Sequence, residues 1–117
     1  MSIWNANTLN ELVGDNPGLR SRLLQKFLIN SHNQVNALNE AAQAGDLQRL
    51  VEVAHPLKSA ARTIGAFALG ELCQRIETAA TANDSFVSSA LTAGLSSTFD
   101  QVQEKIFQHG VLSPNRK

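Results

Sequence analysis

The stretch VEVAHPLKSAARTIGA, residues 51–66, decides the fold. It reads as helix nearly throughout, yet it sets His55 against Pro56 in mid-helix, with Lys58, Ser59 and Arg62 just after. Extended back to Leu47, its apolar residues Leu47, Leu50, Ala54, Leu57, Ala61 and Ile64 recur in steps of three and four. That is the seam of a helix packed in a bundle. Asp46 is placed to cap its N-terminus, and Gly65 ends or bends it.

The same punctuation divides the rest of the chain. A short first helix spans about Asn7 to Val13 and stops at Gly14. A long second one starts from Asn16 as N-cap with Pro17 in the first turn and runs to Gly45, roughly 40 Å at about 1.5 Å per residue. Its inward residues are Leu19, Leu23, Phe27, Val35 and Leu38. A fourth, about Ala66 to Thr81, turns Leu69, Leu72, Cys73, Ile76 and Ala80 inward. A fifth, capped by Asp84 or Asn83, is expected to bury Phe86, Val87, Leu91, Leu95, Phe99, Val102 and Ile106. Gly110 and Pro114 mark its end, and residues 111–117 are expected to fray. Short connections between amphipathic helices predict an all-α fold: an antiparallel up-and-down four-helix bundle with a short additional N-terminal helix. Residues 1–117 form one domain, with its core within about 7–109.

Composition narrows the function. The 117 residues carry ten basic and ten acidic side chains, a formal net charge of zero. A binder of nucleic acid or of anionic membranes needs a basic excess that is lacking here. No apolar run is long enough to span a bilayer, and the start, MSIWNANTLNEL, is not a signal peptide. The single Cys73 excludes an internal disulfide and fits a reducing, cytoplasmic setting. Cys73 falls on an apolar face, as a core residue does. His32 and His109 lack the spacing of a metal site, and no phosphate-cradling glycine loop is present.

On a wheel of about 100° per residue, His55 lies about 130° from the seam centred near Leu57 and Ala61. Ser59 and Arg62 follow on the same outer stripe, with Lys58 on its flank. A neutral imidazole is a good nucleophile near neutral pH, and a rigid helix presents it to a large partner. Lys58 can offset charge on an incoming phosphoryl group.

The run AHPLKSAARTIGAFALGELCQRIE, residues 54–77, resembles the signature of histidine-containing phosphotransfer (HPt) domains. The matching positions are Ala54, His55, Leu57, Lys58, Ser59, Gly65, Ala66, Leu69 or Leu72, Cys73 and Glu77. ELVGDNPGLRSRLLQKFL and AAQAGDLQRLVEVAH resemble the family's earlier helices, so the likeness covers about Leu9 to Ile106. It implies a phosphorelay intermediate: His55 accepts a phosphoryl group from a receiver-domain aspartate and passes it to another receiver. It implies no ATP site, no kinase activity and no cofactor of its own, with Mg2+ on the receiver. A receiver is expected to dock on Val51, Ser59, Arg62, Gln74 and Arg75 and on apolar Leu9, Leu12 and Val13. A monomer is expected, in the cytoplasm, with a bacterial look. It is either freestanding or the C-terminal domain of a membrane-bound hybrid sensor kinase.

Two features depart from the pattern. Ser59 stands where the family often has glycine. Pro56 removes a helical hydrogen bond, at a cost of about 3 kcal/mol. The carbonyl it frees, that of Glu52, lies on the outer face where water can reach it, so a solvent-side kink from Glu52 to Pro56 is expected. Pro56 also raises the alternative of a degenerate bundle that docks a receiver without carrying phosphate.

Overall fold

The computed structural model describes residues 2–111, and these are helical with no strands. Six helices follow in order: α1 (Ala6–Val13), α2 (Pro17–Ala44), α3 (Leu47–Ile64), α4 (Phe67–Thr81), α5 (Ser85–Thr92) and α6 (Leu95–Gln108). Side-chain caps fix four of the starts. Asn5 accepts from the Asn7 N–H, Asn16 from Leu19, Asp46 from Arg49 and Asp84 from Val87, at 3.0–3.1 Å. Asp84 is thus the cap of α5, while Asn83 supplies the left-handed residue of the preceding turn, with φ 61°.

α2 packs on α3, α3 on α4, and α4 on α5 and α6; both of the last return to α2, closing a ring around one core. α1 lies across α2 and α3. The core is filled by Leu24, Leu28, Leu38, Leu50, Leu57, Leu69, Ile76, Leu95, Val102 and Ile106, each at most 2 % exposed. The most extensive contact, α3 with α4, is lined by small residues: Ala54, Ala61, Ala66, Gly70 and Cys73 are all buried. A side chain at Gly70 would meet the Arg62 stem at 3.0 Å, so the glycine lets Arg62 lie flat over α4.

Two expectations about the last helix are corrected. It is two helices, interrupted at Ala93 and Gly94, and its N-terminal part does not bury its largest residues. Phe86 is 84 % exposed and Val87 40 %, and Leu91 is half-buried. The buried seam instead runs Ser88, Thr92, Leu95, Phe99, Val102 and Ile106, in unbroken steps of four and three. Geometry outweighs hydropathy here, because Phe86 and Val87 fall outside that register. The two buried hydroxyls bond locally, Ser88 donating to the Ser85 carbonyl and Thr92 to that of Ser88. Val111, expected to fray, is 6 % exposed and packs on the core; residues 112–117 of the expected tail lie outside those described.

α3 runs through Pro56 without interruption. Proline is about 3 kcal/mol poorer than alanine inside a helix, and it gives back up to about 1 kcal/mol by restricting the unfolded chain. Pro56 is exposed, so its replacement opens no cavity. Pro56→Ala is therefore expected to stabilise the protein by about 2 kcal/mol, read as a higher urea midpoint with an unchanged slope.

An N-terminal strap holds the turn that follows α3. The Asn5 N–H donates to the Gly65 carbonyl at 2.9 Å, the Ala68 N–H to the Ser2 carbonyl at 3.1 Å, and the Trp4 indole N–H to the Ile64 carbonyl at 2.8 Å. The strap and α1 fix the end of the helix that carries His55.

Candidate functional site

His55 projects from the middle of α3, its side chain 63 % exposed. Its Nδ1 lies 3.0 Å from Oε2 of Glu77, on α4. The other oxygen of Glu77, Oε1, accepts from Lys58 Nζ at 2.6 Å. Lys58 also donates to Gln74 Oε1 at 3.0 Å. The Lys58 and Glu77 side chains are only 12 % and 18 % exposed, so the pair lies beneath the imidazole, flush with the surface.

The carboxylate sets the tautomer. Ionised Glu77 can only accept, so in the neutral ring Nδ1 carries the hydrogen donated to it and the lone pair is left on Nε2. Glu77 is held in its ionised form: the Lys58 hydrogen bond is the largest cause of a carboxyl pKa below the ordinary 4.5, opposed by desolvation and helped by His55. A carboxyl whose pKa is lower folded than unfolded stabilises the fold above the unfolded value. That contribution is lost as pH falls through the folded value. Followed by NMR, the Glu77 carboxyl carbon is expected to titrate below pH 4.5, and Lys58→Met is expected to move its midpoint upward.

The expected site residues do not all converge. His55, Lys58 and Gln74 come together. Ser59 and Arg62 are exposed on the same stripe of α3, and Val51 is half-buried against the core one turn before His55. Arg75 pairs with Glu71, one turn back on its own helix, at 3.4 Å, and takes no part in the cluster. Of the apolar candidates, Leu12 is 67 % exposed, and Val13 is half-buried against the core. Leu9, at 1 % exposure, is a core residue rather than a free docking side chain. Its burial is what anchors α1.

Glu77 was readable only as the last position of the family pattern, with no role attached. A signal was nonetheless present. Gln74, Glu77, Thr78 and Thr81 form an i, i+3, i+4, i+7 polar stripe on α4, and this stripe faces Lys58.

A family model for the Hpt domain matches residues 22–105. The chain belongs to the Hpt domain family. A solved structure, the histidine-containing phosphotransfer protein B (HptB) from Pseudomonas aeruginosa PAO1, superposes with a TM-score of 0.84 at 26% sequence identity. The match covers 92% of this chain and 93% of that one. No curated protein matches the chain. The HPt domain is thus a histidine-containing phosphotransfer protein. Among its described residues no helix is long and apolar enough to cross a membrane. No cluster of potential metal ligands occurs among them either.

Proposed function

We propose that this HPt domain is a phosphorelay intermediate that carries a phosphoryl group on Nε2 of His55. The observation that carries the reading is the Glu77–His55 contact, which leaves the outward nitrogen as the nucleophile. In the forward step, Nε2 attacks the phosphorus of an aspartyl phosphate on a receiver domain. The P–N bond forms as the P–O bond to the aspartate breaks, and the aspartate departs as a carboxylate. The proton on Nδ1 stays where it is, so the phosphorylated ring is cationic until the group moves on. Glu77 faces that charge. Lys58 spends two of its three N–H donors on Glu77 and Gln74, and keeps one to turn toward the phosphoryl oxygens. Return to a second receiver is the same displacement reversed.

Mg2+ belongs to the receiver in this scheme, and the HPt domain supplies the nucleophile and a docking face. Ser59, Arg62 and Leu12 offer the exposed part of that face. The domain works as a monomer beside cytoplasmic receivers. The bundle is read as antiparallel, which the α3–α4 bonds support. As α3 advances from His55 to Lys58, the α4 partners extend back from Glu77 alone to Glu77 and Gln74.

Incubation with a receiver domain labelled on its aspartate tests this. The label is expected to move to the HPt domain, to be acid-labile and alkali-stable, and to leave again when an unlabelled second receiver is added. A receiver that binds while no label moves would favour a docking module that carries no phosphate.

A further inference from the structure

Gln74 uses both ends of its amide inside the molecule. Its Oε1 accepts from Lys58 Nζ at 3.0 Å, and its Nε2 donates to Thr78 Oγ1 at 3.0 Å. An ammonium can only donate, so the amide atom facing Lys58 is the oxygen, and the nitrogen is turned the other way. There it meets Thr78, one turn further along α4, at the i, i+4 spacing that sets two side chains beside each other. A chain of hydrogen bonds therefore runs from Thr78 through Gln74, Lys58 and Glu77 to His55.

The second acceptor changes what Lys58 can do. An ammonium held by one acceptor turns about that bond, and a second acceptor fixes where the third N–H points. Glu77 Oε1, at 2.6 Å, is the first and Gln74 Oε1 the second. Space lies open beside them: a shallow notch of about 440 Å³, lined by Lys58, Gln74, Glu77, Thr78, Thr81 and Ala82. An ammonium released by Gln74 has room to swing into that notch. A charge already in place needs no reordering as the reaction proceeds, whereas a loose one must be ordered at each transfer.

We infer that Gln74 is a positioning residue for phosphoryl transfer, and that Thr78 positions Gln74. Gln74 holds the Lys58 ammonium so that its third N–H is directed at the phosphoryl oxygens. Thr78 holds the carboxamide so that its oxygen stays on Lys58. The inference rests on the phosphorelay reading, and it gives Gln74 a task other than docking. A docking contact sets how tightly the receiver binds. A positioning residue sets how fast the bound receiver delivers its phosphoryl group.

The test is single-turnover transfer from a receiver labelled on its aspartate, with the receiver varied in excess. The saturating rate and the half-saturating concentration are then read separately. Gln74→Leu is expected to lower the saturating rate about tenfold and leave the half-saturating concentration unchanged. Thr78→Val keeps the shape and loses the acceptor; it is expected to lower the saturating rate about threefold, a smaller effect because Thr78 is exposed. Thr78→Ser keeps the acceptor and is expected to transfer at the wild-type rate. Gln74 is half-buried and Thr78 exposed, so all three variants are expected to fold, which circular dichroism checks. A raised half-saturating concentration at an unchanged saturating rate would make Gln74 a docking contact and overturn the inference. Equal saturating rates in the valine and serine variants overturn it as well. Failure of every receiver to label the wild type removes the relay reading, and this inference with it.

Discussion

His55→Gln is expected to abolish phosphoryl acceptance and leave the fold standing. The two effects separate because the imidazole contributes chemistry and almost no core. It is 63 % exposed, and its one bond joins it to Glu77 at the surface. An exposed pair of this kind contributes about 0–1 kcal/mol, so the urea midpoint is expected to shift by no more than that. Glutamine can still donate an amide N–H toward Glu77, but it offers no ring nitrogen to attack phosphorus. His32 on α2 and His109 at the end of α6, both exposed, have no carboxylate bonded to the ring among the described residues, and are not expected to substitute. The paired measurement is label transfer and urea unfolding on the same preparations. Residual label in the variant would place the acceptor elsewhere.

Gly65→Val is expected to be the most damaging single change to stability outside the core. Gly65 ends α3 with φ +92°, a region that side chains with a Cβ rarely adopt. A Cβ there would also lie 2.3 Å from the Asn5 carbonyl oxygen and 3.0 Å from the Thr8 side chain. The backbone strain alone costs about 1–3 kcal/mol, and the clash must be relieved by lifting the strap or the start of α1. Either movement breaks the Asn5 to Gly65 hydrogen bond and disturbs the Trp4 bond to Ile64. A total loss of about 3–5 kcal/mol is expected from the two effects together, measured by urea unfolding. Gly45→Ala provides the contrast. That position also has positive φ, +68°, but open space around it, so only the backbone part of the cost applies. Equal losses at the two positions would show that the strap contributes nothing.

The sequence made the α2, α3 and α4 boundaries readable because chemistry marks them. Asn16 and Asp46 cap two starts, and Gly45 and Gly65 take the left-handed turns at two ends. The exposed stripe of His55, Ser59 and Arg62 was readable for the same reason, since it needs only the period of one helix. What failed were features that need a second element. Phe86 and Val87 looked like core because they are apolar, but the register that buries Ser88 and Thr92 is set by packing against α2 and α4. Leu9 was read as available for docking, yet it is 1 % exposed and anchors α1 to the core. Glu77 lies 22 residues from His55, and the bond between them depends on how α4 is registered against α3. The strap from Ser2 to Asn5 is built largely from backbone hydrogen bonds, which leave no side-chain pattern to read.

The proposed relay requires Glu77 to fix His55 so that Nε2 alone is the nucleophile. The most direct measurement is nitrogen-15 and phosphorus-31 NMR of the phosphorylated protein with its histidines labelled. Phosphorus coupled to Nε2 of His55, with the proton retained on Nδ1, is the predicted result. Phosphorus on Nδ1, or on any other side chain, would contradict the account.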